Sequence, residues 1–242
     1  MAALEDSGFG RLIGALVSPG KTFQSIAGRP TWGAALVVLL IATTAIGVLV
    51  NQRMDPDDLR HSIQQRMEKS RGGQASPEDV ERGVEMATKM SSVTRWLIPL
   101  FVAVFYLILA ALFFAAFRFF AGSSIPYRTS LSVALHAYLP GVVAALITLP
   151  LILSRKSITM KEAQGGGILA SNLGAFAPAD MGAVARTLLS TVDFFSIWTV
   201  CLLIIGYRAA AKVSTATAAT VVVVLWVLYI AFRVGAAALF GG

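Results

Sequence analysis

The sequence predicts an all-α integral membrane protein: five transmembrane helices preceded by amphipathic interfacial helices. Three observations predict it. Of 242 residues, 56% are apolar and only 14% are charged, where a soluble domain carries about 25% charged residues. Mean hydropathy is +0.73. Five apolar runs reach about the twenty residues that a helix needs to cross a bilayer. Helix is the local solution for each, because every backbone N–H and C=O must be paired within the segment. A β-barrel would show short alternating segments instead, and the low charge excludes a disordered chain.

Residues 1–31 form an amphipathic N-terminal region and 32–242 a membrane domain. In the first, Phe9, Leu12, Ile13, Leu16 and Val17 share one face of a helix by their i, i+3, i+4, i+7, i+8 spacing. Ser18 then suits an N-cap and Pro19 the first position of a second short helix, with Phe23, Ile26 and Ala27 on its apolar face. Gly28 and Pro30 end it. The basic residues Arg11, Lys21 and Arg29 suit a membrane surface; packing on the protein's own bundle explains the same pattern.

The first span, Trp32 to Val50, has nineteen residues without a charge. It is read as a retained span, because it is too long for a signal peptide and no small-x-small site follows. The others run over about 96–120, 129–153, 187–207 and 215–240. Pro140 should kink the third. Ala137, Gly141 and Ala145 make a small-residue seam there. Trp32, Trp96 and Tyr207, near span ends, read as interfacial anchors.

The polar loop 51–95 reads as a helical hairpin outside the bilayer. Asp55-Pro56-Asp57-Asp58 starts one helix, with Leu59, Ile63 and Met67 on its apolar stripe. Gly72 and Gly73 break it, and Ser76-Pro77-Glu78-Asp79 starts a second helix that can run into the second span. Its eight basic and eight acidic residues cancel, which argues against nucleic acid. Residues 154–186 are a Gly- and Ala-rich connection with a flexible break at Gly165-Gly166-Gly167. The apolar stretch Ile168 to Phe176 suits the membrane surface.

The net charge of +7 fits basic cytoplasmic loops better than nucleic acid. With the N-terminus cytoplasmic, that side holds seven basic residues against Glu5 and Asp6. The other side holds twelve basic and ten acidic residues, mostly in one long loop. Raw basic counts favour the reverse orientation, but long loops weigh less, and the test is close to even.

Enzyme chemistry finds little support. Gly20-Lys21-Thr22 resembles the end of a P-loop, but Ala15 stands where the first glycine belongs. Asp55, Asp57 and Asp58 lack the glycine of a calcium loop, since Arg60 occupies that place. One cysteine, Cys201, and two histidines, His61 and His136, exclude an internal disulfide and make a metal site improbable. No catalytic residue, metal or cofactor is assigned. The intramembrane polar candidates are Asp193, Arg233 and His136. Asp193 and Arg233 fall at matched depth on antiparallel spans. They are expected to pair as a helix-holding ion pair, with an ion or proton relay as the sharper alternative. His136 reads as a hydrogen-bonded packing residue.

Several short motifs then fall in a familiar order. Arg11-Leu12-Ile13, Ser18-Pro19, Thr22-Phe23, Ile26 and Arg29-Pro30-Thr31-Trp32 resemble the opening of the Yip1 domain family. Phe117-Arg118, Gly122, Tyr127-Arg128, Tyr138 and Pro140 resemble its third-helix region. Asp193-Phe194-Phe195-Ser196-Ile197-Trp198 and Gly206 resemble its fourth-helix signature. The resemblance implies five spans, a cytoplasmic N-terminus, a C-terminus across the membrane and no catalytic residues. Eukaryotic members act in Golgi and endoplasmic reticulum traffic, associate with Rab-type GTPases and carry a long cytosolic N-terminal region. The thirty-one residues here resemble the short prokaryotic form, in a bacterial or archaeal cytoplasmic membrane. Two functions follow as expectations. The first is a non-enzymatic scaffold or adaptor organising lipid and membrane protein partners, homo-oligomers included. The second is a small transporter or channel using Asp193, Arg233 and His136, of unknown substrate.

Overall fold

The computed structural model describes residues 8–71, 73, 75–165, 168–178 and 181–240. Glu5 and Asp6, Gly72, and Gly166 and Gly167 of the expected glycine break lie outside the described residues. Helices succeed one another along the chain: α1 (Gly8–Val17), α2 (Pro19–Gly28), α3 (Gly33–Gln52), α4 (Pro56–Arg71), α5 (Pro77–Phe120) and α6 (Tyr127–Ala137). They continue as α7 (Pro140–Ser154), α8 (Met160–Gly165), α9 (Ala183–Thr191), α10 (Phe194–Ala211) and α11 (Thr215–Phe240). Among the described residues there is no strand. Five units are long and apolar enough to cross a membrane: α3, α5, α6 with α7, α10 and α11.

Local chemistry sets most boundaries. Pro19 occupies the first turn of α2, where its missing N–H costs nothing. Ser76 caps α5, its Oγ accepting from the Asp79 amide at 3.2 Å. Once started, α5 runs for 44 residues, about 66 Å at 1.5 Å per residue, roughly twice the thickness of a hydrocarbon core. Its first turns therefore project from the bundle and pair with α4. Ile63 and Met67 of the expected stripe lie over Gly83, where a Cβ would come within 2.7 Å of Ile63 Cγ2. Arg60 and Glu81 close that hairpin at 2.9 Å.

The third span is interrupted by a tight turn at the proline where a kink is expected. Pro140 begins α7 as a first-turn proline, after a turn at Tyr138-Leu139. The small-residue seam is split by that turn: Ala137 is buried, whereas Gly141 is exposed.

The fourth span also departs from expectation. It begins at Phe194 rather than near 187, because Val192 and Asp193 are extended and end α9. Residues 183–191 form a separate short helix.

Helix ends gather into two faces. On one, α1 and α2 lie near the α5–α6 link and the end of α10, with Ser123 Oγ donating to the Ala211 carbonyl at 3.5 Å. On the other, the end of α3 meets α5 and the stretch after α7. Ser91 Oγ donates to Asn51 Oδ1 at 2.9 Å. The Ile158 amide donates to the Arg53 carbonyl at 2.7 Å, and the Asp55 amide returns a bond to the Ile158 carbonyl at 2.9 Å. The Arg53 guanidinium also donates to the Arg155 carbonyl, and Arg155 pairs with Glu162. The Thr159 amide, 2.9 Å from Glu162 Oε2, holds that carboxyl below the usual carboxylate range.

Candidate functional site

The best-ordered chemistry lies where α1 and α2 dock on the bundle. α2 packs most extensively against α10. Phe23 is fully buried there. Its ring lies against Gly206, where a Cβ would sit 3.0 Å from the Phe23 ring and 2.6 Å from Val133 Cγ1. Only glycine lets the α10 backbone come that close to both α2 and α6. Phe23 and Gly206, drawn from the opening and the fourth-helix parts of the motif pattern, meet in space.

One residue on, Tyr207 is 0% exposed. Its ring stacks on Phe117, with centroids 4.5 Å apart and planes at 9°, and on Phe113 at 5.0 Å. The Ser130 hydroxyl donates to the Ala110 carbonyl at 2.8 Å and lies 2.7 Å from the Tyr207 hydroxyl. The Tyr207 O–H also reaches the Ser130 carbonyl at 3.2 Å. Three helices, α5, α6 and α10, are thus joined through two hydroxyls. The interfacial role expected of Tyr207 is corrected: this tyrosine is a core residue, because Ser130 offers its hydroxyl a partner away from water.

For Arg11 the second of the two readings of the N-terminal helices, packing on the bundle, is the one that holds. It is 3% exposed. Nη1 donates to the Arg29 carbonyl at 2.6 Å and to Thr31 Oγ1 at 2.9 Å, and Nη2 donates to Ser25 Oγ at 2.8 Å. The forked guanidinium satisfies acceptors at the end of α2. Helix carbonyls there lack internal partners and carry the negative end of the helix dipole, which favours a cation. Arg11 therefore ties α1 to α2 and to the link that leads into α3. On α1, Leu12 and Ala15 join Arg11 in the interior, while Phe9, Ile13 and Val17 point outward. The apolar face expected of α1 is divided between the bundle and its surroundings.

His136 is 1% exposed, with Nδ1 2.8 Å from the Ser132 carbonyl. A carbonyl only accepts, so Nδ1 carries the proton. Ser132 Oγ in turn donates to the Arg128 carbonyl at 2.9 Å. His136 packs within α6 through these local bonds.

The expected pairing of Asp193 with Arg233 is not formed. Asp193 caps α10: Oδ1 accepts from the amides of Phe195 at 2.8 Å and Ser196 at 3.2 Å. The Asp193 amide donates to Ser196 Oγ at 3.0 Å, completing a capping box. Residues 171–172 lie alongside, the Phe194 amide donating to the Ser171 carbonyl at 3.3 Å. Arg233 is half-buried and lies over its own helix, its guanidinium carbon 6.0 Å from the Tyr229 ring centre. Asp193 thus marks the start of a span, not its interior. An Asp three residues before a Ser, at the head of an apolar run, carried that signal in the sequence.

The remaining motif residues take structural places. Ser18 stands at the N-cap position of α2 but its side chain makes no capping bond; its carbonyl accepts from Thr22 Oγ1 at 3.1 Å. Arg29 and Pro30 lead to Trp32, the N-cap of α3. Tyr138 meets Tyr106 edge-on at 5.6 Å, and Trp198 meets Phe194 at 5.9 Å. Ser130 and its bonds to Tyr207 escaped the sequence reading. The usable signal was a polar cluster in an apolar span, Thr129, Ser130, Ser132 and His136, because polar groups at membrane depth face the protein interior.

Two cavities stand out, and neither is lined by Asp193, His136 or Arg233. One, of about 340 Å³, lies between the end of α3 and the α4–α5 hairpin, with Asn51, Asp57, Arg60 and Ser91 on its walls. The other is an apolar groove of about 400 Å³ between α3 and α7, lined by Val38, Ile41, Ala45, Val142, Ala145 and Leu146.

Two of the motifs meet in space, at Phe23 and Gly206. The chain matches the Yip1 domain over residues 13–236. No curated protein and no solved structure matches it. With its five membrane-crossing helices and a domain match over nearly its whole length, the chain belongs to the Yip1 domain family.

Proposed function

We propose that this protein is a non-enzymatic scaffold or adaptor that organises protein partners and lipid in a bacterial or archaeal cytoplasmic membrane. The observation that carries the reading is the use made of the polar groups near the bilayer. Asp193 is spent on the α10 amides, His136 on the Ser132 carbonyl and Arg233 on the Tyr229 ring. Each of these contacts is local to one helix or its first turn, and a transport route needs such groups facing a path. The α4–α5 hairpin and the N-terminal helices instead offer outward surfaces to partners. The N-terminus and the 208–214 link are assigned to the cytoplasm, and the hairpin to the opposite side.

Purified protein reconstituted in dye-loaded liposomes tests the central point. Proton and monovalent-cation leak should equal that of protein-free liposomes. A protein-dependent flux that Asp193→Asn or Arg233→Gln abolishes would establish the transporter reading instead. Topology is checked by labelling Glu78→Cys and Ala210→Cys in a Cys201→Ser background. The two positions should be reached from opposite sides of the membrane, and reaction from one side would sink the assignment.

A further inference from the structure

The end of the bundle around Tyr207 carries charge that the fold does not use. Five cations stand within two residues of the groups that meet there. Lys21 precedes Phe23 by two residues, and Arg128 precedes Ser130 by two. Arg118 and Arg208 directly follow the stacked Phe117 and Tyr207. Lys212 follows Ala211, whose carbonyl accepts from Ser123. All five are exposed. Arg118 lies 5.9 Å from the Phe114 ring on its own helix. Among the described residues none of the five meets a carboxylate. The acid on α10 is Asp193, about 22 Å along the helix from Arg208, and the last acid on α5 is Glu85, about 50 Å from Arg118. The other described acids belong to residues 55–81 and to α8, on the opposite face. These separations exceed the screening length of roughly 8 Å at physiological salt, so no described acid neutralises this end.

Helix dipoles account for three of the cations and not for two. Arg118, Arg208 and Lys212 stand at the C-terminal ends of α5 and α10, where a cation is favoured. Lys21 is in the first turn of α2 and Arg128 in the first turn of α6. There the positive end of the dipole opposes a cation, and an anion from outside relieves that repulsion.

We propose that this end of the bundle docks anionic phospholipid headgroups, with their phosphodiesters among the five cations. The neighbouring apolar groups choose a lipid surface over a soluble polyanion. Phe119 and Phe120, next to Arg118, are 80% and 84% exposed, and Tyr127, beside Arg128, is also exposed. Phe9, Ile13 and Val17 point outward from α1. A nucleic acid or an acidic protein would leave these groups in water. The headgroup layer places phosphate next to the acyl boundary, and basic and aromatic side chains collect there. A zwitterionic headgroup carries its own cation beside the phosphate, so five uncompensated charges favour a net negative one. This deepens the lipid part of the proposed function, and the two fail separately: that reading falls to a protein-dependent ion flux, this one to the lipid dependence measured below.

Thermal unfolding in vesicles of two compositions tests it: phosphatidylcholine alone, and phosphatidylcholine with an equal part of phosphatidylglycerol. A ligand held only by the folded state raises the transition. The transition should rise in the mixed vesicles, and rise less as added salt shortens the screening length. Lys21→Gln with Arg128→Gln and Arg208→Gln should lose most of that rise. Arg66→Gln with Arg82→Gln and Arg95→Gln removes the same charge from the hairpin and should keep it. In phosphatidylcholine alone the first triple variant should unfold close to the parent, because its three side chains are exposed. The milder pair Lys21→Gln with Arg128→Gln should lose part of the rise, and it decides the matter if the triple variant fails to fold. Phosphatidylglycerol should also be enriched over phosphatidylcholine among the lipids that stay with the unmodified protein on gentle extraction from mixed vesicles. No rise, no enrichment, or a full rise in the first triple variant and the pair would overturn the proposal. Equal loss in the two triple variants would mean net charge rather than a site. The same rise from inorganic phosphate added to phosphatidylcholine vesicles would mean a free anion. Either of these results also overturns it.

Discussion

The two halves of the third span are neighbours in sequence and opposites in environment. In α6 every residue from Thr129 to Ala137 is buried, including three hydroxyls and a histidine. In α7, beyond the break at Pro140, only Pro140 and Ile152 are buried, while Leu146, Ile147 and Leu153 are exposed. The more polar half is inside and the more apolar half outside. A water-soluble protein would sort them the other way. Here the surroundings are apolar, so a leucine gains little from burial, whereas a serine or histidine must find its partners within the protein. What holds the bundle is therefore the close contact of α6 with α2, α5 and α10, hydrogen-bonded to the last two.

The largest test of that contrast removes Tyr207, the ring stacked on Phe113 and Phe117 against α6. Tyr207→Ala should lower stability by about 3–5 kcal/mol, read as a large drop in the thermal transition in detergent. Leu146→Ala on α7 should change it by less than about 0.5 kcal/mol. Equal effects would break the comparison.

Two glycines sharpen it next. At Gly206 an added methyl group meets Val133 and Phe23, so Gly206→Ala should cost about 1–3 kcal/mol by overpacking. At Gly141, on α7, a Cβ meets nothing within 4 Å. Gly141→Ala should be neutral or stabilising by up to about 1 kcal/mol. A neutral Gly206→Ala would show that the α2–α10–α6 contact is looser than drawn.

The hydroxyl pair comes third. Ser130→Ala and Tyr207→Phe should each cost about 1 kcal/mol. The double variant should cost less than the sum, because both remove the same bond. Strict additivity would separate the two hydroxyls.

The smallest expected coupling lies away from this knot. Asp193→Ala should cost about 1 kcal/mol as a lost helix cap. Arg233→Ala should add to it within about 0.3–0.5 kcal/mol, since the two side chains have different partners. A double variant milder than the sum would restore the ion pair that the structure replaces.

Span count is legible because a bilayer demands long apolar helices whatever their neighbours. Caps were legible where side chain and amide are three residues apart, as at Ser76. The capping box of Asp193 has the same local form, but an acid in an apolar run also has the pattern of a buried charge, and that pattern places the fourth span's start before Phe194. The candidate site was only partly legible. Its motif residues can be named, but the sequence leaves Arg11 between membrane surface and bundle and places Tyr207 at the interface.

By itself the sequence determined what depends on neighbours along the chain: apolar length, proline and glycine breaks, and capping residues. The tertiary structure alone decided what depends on residues far apart. Arg11 lies within because the end of α2 supplies its acceptors, and Tyr207 because Ser130, 77 residues away, receives its hydroxyl. A polar side chain at membrane depth takes its role from its partner, and chain-distant partners meet only when the helices pack.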